Sequence, residues 1–285
     1  MKNTWKSVGW LGMSTLPLLL CFAMQLAIGG FSMSIFAFVK TYSDGIRISH
    51  EQFMEVYMEN AMLGAGIGLF AYNFVAIFIF GLWFYLVCVR PNSHIQRTGK
   101  ILTLPTVAWS VLIAITICAS NTQMVAVAKY FIPEVVNNFY ELMENFRLDA
   151  FAIIAAIILA PISEELIFRG VIQHYAMKVS KYFWVANVIQ ALMFAIVHMN
   201  WVQGTYAFII GLVLGWLRHR YKTLWVPIIV HFVNNFSTMT WLGKLLEQVP
   251  DNLPAEFGVF ALAAMATVGI LITIGRGEDE NPTPA

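Results

Sequence analysis

Phe151-Ala-Ile-Ile-Ala-Ala-Ile-Ile-Leu-Ala160 carries no charge and no polar side chain, and it runs directly into Pro161-Ile-Ser-Glu-Glu-Leu-Ile-Phe-Arg-Gly170. Two carboxylates and a guanidinium fall within six residues, and apolar sequence resumes around them. A charge at the centre of a membrane helix costs about 2.5–3.5 kcal/mol on insertion scales. A chain keeps such charges for an ion path, a relay or a catalytic site. The fold therefore turns on whether this stretch belongs to a soluble core or to a membrane span.

Composition decides for the membrane. Of the 285 residues, 59% are hydrophobic and only 12% charged, against about 25% charged in a soluble domain. Mean hydropathy is +0.70. Net charge is +1, which leaves no basic footprint for nucleic acid. Cys21, Cys88 and Cys118 each sit inside an apolar run, which reads as packing rather than a zinc cluster or a disulfide framework. Leu20 stands where a lipoprotein cleavage site would want a small residue. The weakly basic Met1 to Lys6 leads into an apolar stretch reaching Val39. That is far longer than the apolar part of a signal peptide, so an uncleaved first span is expected.

About twenty apolar residues cross a bilayer as a helix. Eight segments qualify, at roughly 10–39, 61–88, 102–120, 149–178, 182–200, 203–218, 223–241 and 257–275. The expected fold is all-α, a polytopic transmembrane helix bundle of about eight spans. The first is long enough to be tilted, or broken near Gly29-Gly30. Residues 121–148 are too polar to span, and Pro133 to Arg147 reads as an amphipathic surface helix. Lys2 and Lys6, then Arg90, Arg97 and Lys100, Lys178 and Lys181, and Arg218, Arg220 and Lys222 mark cytoplasmic connections. The others are mixed or acidic, with Asp44, Glu51, Glu55 and Glu59 in the first. Both termini are then expected in the cytoplasm. Trp10, Trp184, Trp201, Trp225 and Trp241 fall near span ends and read as an interfacial belt. The tail from Gly277 to Ala285 reads as disordered. Gly64-Ala-Gly66-Ile-Gly68 and Gly211-Leu-Val-Leu-Gly215 are small-residue patterns for close helix approach. No internal repeat is present.

The polar groups a membrane core should exclude concentrate in the second half. Residues 149–243 are accordingly assigned as the functional core, 1–148 as accessory spans and connector, and 244–285 as the last span and tail. Residues four apart on a helix share a face, so Glu165 and Arg169 are expected to form a structural ion pair. Glu164 has no basic residue three or four positions away and is the carboxylate aimed elsewhere, suited to a general base or a metal ligand. Span five carries His198, with Phe194 and Asn187 on the same stripe as cavity-lining residues. Span seven carries His231 and Asn235 on one face, with Asn234 turned away. His50 and His94 lie in loops, His219 lies between two arginines, and His174 is too far along its span to share the Glu164 face.

These residues suffice for peptide hydrolysis in two ways. Glu164, His198 and His231 can hold a zinc ion with an open water position. Alternatively, Glu164 and His198 activate water directly while His231 and Asn235 stabilise the oxyanion. The same residues serve both. A non-enzymatic immunity or scaffold protein, binding a partner through the same cluster, is the second reading. A proton-coupled transporter is the third, disfavoured by the lack of repeats. The substrate class is a membrane protein or peptide met within the bilayer. Nothing in the sequence addresses oligomeric state.

Glu164-Glu165-x-x-x-Arg169, Phe194-x-x-x-His198 and His231-x-x-x-Asn235, in this order on successive apolar segments, resemble the three motifs of the CPBP family. These are the CAAX-processing and bacteriocin-processing membrane proteins. The resemblance covers about 150–243 and implies an eight-helix-type intramembrane endopeptidase of the bacterial cell membrane. It implies Glu164 as the water-activating base, His198 as its assistant, and His231 and Asn235 as oxyanion stabilisers. The family is classed with metalloproteases, and a metal-free glutamate mechanism has also been argued for it. Its eukaryotic members release the last three residues of prenylated CAAX proteins. Positive-inside topology places His198 near the outer end of span five, so a long, tilted fourth helix and a cavity nearer the outer leaflet are expected.

Overall fold

The computed structural model describes residues 2–43, 49–59, 61–91, 102–147 and 150–276. Asp44, His94, Arg97, Lys100 and the tail 277–285 lie outside the described residues. All regular structure among the described residues is helical. In chain order the helices are α1 (Lys2–Ser43), α2 (His50–Glu59) and α3 (Ala61–Phe84, continued by a π-helical turn over Tyr85–Val89). Then come α4 (Leu104–Lys129), α5 (Pro133–Arg147), α6 (Ala150–Val179), α7 (Phe183–Val197), α8 (Trp201–Tyr221), α9 (Trp225–Met239), α10 (Trp241–Leu246) and α11 (Leu253–Arg276).

The protein is a polytopic helical membrane protein. Five helical stretches are long and apolar enough to cross: Lys6–Ile35, Leu63–Val89, Leu104–Lys129, Ala150–Val179 and Leu253–Arg276. The three other expected spans fall on α7, α8 and α9. α7 and α9 have 15 residues each, about 22 Å of helix against a hydrocarbon core of about 30 Å. α8 is longer, but its last turn carries Arg218, His219 and Arg220.

Two boundaries differ from the sequence reading. α1 runs unbroken through Gly29-Gly30. The backbone of Gly29 instead meets α3, where a Cβ on Gly68 would stand 3.0 Å from the Gly29 Cα. α4 continues past residue 120 to Lys129, burying Asn121 and Gln123. The apolar count stopped too early because these amides are accommodated inside, with Gln123 Nε2 donating to the Leu246 carbonyl at 3.4 Å.

α6 spans 30 residues. Pro161 has no N–H to give, and the helix absorbs this without breaking. It widens to π-helical hydrogen bonding over Ala155–Leu159, with the Ala160 N–H bonded to the Ala155 carbonyl. A single α-helical turn, Ala160–Glu164, follows. A second π-helical run covers Glu165–Ile172. Such widened turns inside α-helices occur often at functional sites.

The chain divides into two compact units. The first comprises residues 1–96 and 140–216, and the second 97–139 and 217–285. In the first, α1 packs along α3 and the last turns of α6, and α3 packs along the rest of α6. Trp83 Nε1 donates to the Tyr175 hydroxyl at 3.2 Å. Trp10 stacks on Tyr175 at 6.0 Å, with the Lys178 ammonium 4.5 Å from its ring centre. It therefore packs on α6, whereas Trp184, Trp201, Trp225 and Trp241 are exposed. In the second unit, α4 packs against α9, α10 and α11. Cys118, Leu242 and Leu246 form a small core there, and Thr267 donates to Thr116 at 2.9 Å.

Candidate functional site

Glu165 and Arg169 lie one turn apart on α6, and Arg169 Nη1 meets Glu165 Oε1 at 2.7 Å. Both side chains are wholly buried. Two opposite charges at this spacing neutralise one another inside a single helix, which lowers the cost of placing either in an apolar environment. The guanidinium lies face-on to Phe194, its Cζ 4.3 Å from the ring centre. Phe194 is 1% exposed. It packs between Arg169 and His198, with Phe168 beside it at 5.0 Å and the His198 ring edge-on at 4.9 Å.

His198 caps the C-terminal end of α7. Its Nδ1 lies 2.7 Å from the Phe194 carbonyl oxygen. A carbonyl only accepts, so Nδ1 carries the proton and the neutral ring has its lone pair on Nε2. α6 and α7 form an antiparallel hairpin. Glu164 lies fifteen residues before the end of α6, and His198 lies fifteen residues after the start of α7. Phe168 lies against Phe194, and Glu164 and His198 each stand four residues further toward the same end of the hairpin. The Phe168–Phe194 and Arg169–Phe194 contacts fix that register one turn away. The long fourth helix expected from the sequence is what makes this possible.

Glu164 is half-buried, unlike its neighbour Glu165. Part of its surroundings comes from α1 and α3, which the sequence assigns to the accessory spans. The Cys21 thiol of α1 and the Tyr72 hydroxyl of α3 are hydrogen-bonded, and Tyr72 also bonds Gln25. Cys21, Tyr72, Tyr206 of α8 and Arg169 all lie within electrostatic range of Glu164. One residue before Glu164, Ser163 Oγ donates to Asn73 Oδ1 at 2.5 Å. The sequence held one signal for this: Tyr72-Asn73 is a polar pair in the middle of an otherwise apolar span.

Asn187 is fully buried, its Nδ2 donates to the Leu212 carbonyl at 2.9 Å, and its Oδ1 accepts from Gln190 Nε2 at 2.8 Å. Gln190 also donates to the Gly211 carbonyl at 2.8 Å, and Gln173 donates to the Gly215 carbonyl at 3.0 Å. These amides fasten α6 and α7 to α8. A Cβ on Gly211 would meet the Ala191 Cβ at 3.1 Å, and one on Gly215 would collide with Asn187 and Gln190. The Gly211 and Gly215 pattern is thus a close helix approach closed by amide-to-backbone bonds.

His231 and Asn235 lie on α9, in the second unit. His231 is 4% exposed, and Asn235 is half-buried. Asn234, expected to be turned away, donates its Nδ2 to Asn235 Oδ1 at 3.0 Å. Helical spacing turns the two Cβ atoms apart, yet short amide side chains on neighbouring residues still meet. The Asn234 carbonyl accepts from Thr238 Oγ1 at 2.8 Å, and Thr238 Oγ1 lies 3.1 Å from Cys118 Sγ on α4. α9 is anchored on α4 one turn beyond Asn235.

Within either unit, no three His, Cys, Asp or Glu side chains among the described residues gather closely enough to hold a metal ion. Of the suggested zinc ligands, Glu164 and His198 belong to the first unit and His231 to the second.

A half-buried carboxylate and a histidine on neighbouring helices of a membrane-embedded helical protein are compatible with hydrolytic chemistry inside the membrane. The comparison with known families is more specific. Residues 146–237 match the Rce1-like family, described as type II CAAX prenyl endopeptidase Rce1-like. The match spans all three motifs and supports the CPBP resemblance and an intramembrane protease. No curated protein and no solved structure matches the chain.

Proposed function

We propose that the protein is an intramembrane endopeptidase of the CAAX type that hydrolyses a peptide bond in membrane-associated substrates. The observation that carries the reading is the half-buried Glu164 at the level of His198, whose ring is oriented through the Phe194 carbonyl. Glu164 takes a proton from a water molecule, and the hydroxide adds to the scissile carbonyl. His198 accepts a hydrogen bond from the attacking water at Nε2 and fixes its direction. His231 and Asn235 donate hydrogen bonds to the oxyanion, the amide of Asn235 being oriented through Asn234. The tetrahedral intermediate collapses with cleavage of the C–N bond, and the proton held by Glu164 passes to the leaving amine. No step requires a metal. Zinc on Glu164, His198 and His231 is the competing arrangement.

The substrate class is a membrane-associated protein or peptide met in a bacterial cell membrane, with both chain termini cytoplasmic, and the family match makes a C-terminal CAAX-like segment the first probe to try. The test uses purified protein in detergent with an internally quenched farnesylated peptide, alongside metal analysis and a chelator. Glu164→Gln and His198→Ala are expected to lower cleavage by about 10²–10⁴-fold with unchanged insertion and thermal stability. Wild-type cleavage by either variant would sink the reading. Stoichiometric zinc with chelator-sensitive cleavage would replace the metal-free mechanism with the zinc one.

A further inference from the structure

Glu164 closes a single α-helical turn, Ala160–Glu164, held between two widened runs. Its position thus depends on where the hydrogen-bond register of α6 changes, and a contact from a neighbouring helix can fix that point. Ser163 and Asn73 make such a contact. Ser163 is 0% exposed and Asn73 1%. A serine within a helix ordinarily returns its hydroxyl to the carbonyl three or four residues back. Ser163 has that option in the Ala160 carbonyl at 3.2 Å, yet its shorter bond crosses to Asn73 Oδ1 at 2.5 Å. Asn73 Nδ2 in turn donates to the Leu69 carbonyl of its own helix at 2.9 Å. That second bond fixes the amide so that its oxygen, and not its nitrogen, faces Ser163.

Resting on the reading of Glu164 as the base, we propose that Asn73 is a positioning residue for the reaction. It locks the turn that carries Glu164 through Ser163. On this account α3 belongs to the working part of the enzyme. A displacement of about 1 Å at a reacting group costs on the order of 10²-fold in rate, so a single buried interhelical bond suffices to matter.

The test compares Asn73→Leu, Ser163→Ala, the double variant and Glu164→Gln. One arm follows cleavage of the quenched farnesylated peptide. The other follows modification of Glu164 by dicyclohexylcarbodiimide, read by mass spectrometry, which needs no substrate. Each single variant and the double are expected to lose about the same 10–100-fold in kcat, with KM within about twofold. Their carbodiimide rates are expected to move together by at least about fivefold. A packing role would instead give additive losses in thermal stability with kcat unchanged. Unchanged kcat and unchanged labelling in Ser163→Ala, the smaller change, would overturn the proposal even if Asn73→Leu fails to fold. If no variant, wild type included, cleaves the peptide, labelling decides alone. Full cleavage by Glu164→Gln would instead defeat the reading of Glu164 as base, while coupled labelling would still show that Asn73 sets its position.

Discussion

Two polar sets share the first unit, and they are built differently. Asn187, Gln190 and Gln173 are at most 5% exposed and donate to backbone carbonyls of the neighbouring helix α8. Glu164 and His198 are half-buried, and Nδ1 of His198 bonds the Phe194 carbonyl of its own helix. The first set is consumed in holding helices together. The second is only partly buried. Residue type does not separate the two, since an Asn on the His198 stripe looks as catalytic as the His. Burial and the direction of hydrogen bonding do.

The Glu165–Arg169 pair tests that distinction most severely, because it is as buried as the amide clasp yet adjoins Glu164 in sequence. Arg169→Leu is expected to destabilise the protein by about 3–5 kcal/mol, since it leaves the Glu165 charge uncompensated in an apolar interior. Replacing both with apolar residues of similar size is expected to recover most of that loss. Unfolding titrations in mixed detergent micelles measure both. A double variant that regains stability but not cleavage would place the pair on the chemical side. Recovery of both would place it with the clasp.

Gly215→Ala addresses the clasp directly. The added methyl would collide with the amides of Asn187 and Gln190, both of them short, buried and already bonded. Neither can retreat, so a cost of about 1–3 kcal/mol is expected. Gly258→Ala, with nothing within 4 Å of the new methyl, is the matched control and is expected to be neutral within about 0.5 kcal/mol. Thermal shift in detergent distinguishes the two. Equal effects would mean that the α7–α8 approach does not depend on the small residue.

Much of this was legible in the sequence for physical reasons. Long apolar runs must be membrane helices because backbone polar groups have no other way to be satisfied there. The Glu165–Arg169 contact follows from helical spacing alone. The three motifs were readable because ionisable residues are costly in a membrane and therefore conspicuous. What was not legible depended on pairing between helices. Asn73 looked like an isolated polar residue in an accessory span until Ser163 was placed opposite it. Asn187 looked functional because a stripe pattern does not reveal that α8 presents carbonyls to it. The extension of α4 to Lys129 was hidden because Gln123 counts against a span unless its partner, the Leu246 carbonyl, is known. The widened turns around Pro161 leave no separate mark in the residue pattern.

The smallest expected effect is the sharpest on the comparison. Asn187→Leu removes the bond to the Leu212 carbonyl and the acceptor for Gln190, which keeps its bond to the Gly211 carbonyl. Interhelical side-chain bonds in membranes average about 0.6 kcal/mol and reach about 1.7, so a loss of about 1 kcal/mol is expected. Leu keeps the branching of Asn but is bulkier, so some packing strain against α8 adds to that loss. Asn187 lies eleven residues before His198 on the same helix, and the His198 ring is held locally by Phe194. Cleavage should therefore stay within about twofold of wild type, since no transition-state contact is removed. A tenfold fall in kcat at that modest stability loss would mean that the α7–α8 clasp transmits position to His198. Glue and chemistry would then be one structure in this unit, and burial would no longer separate them.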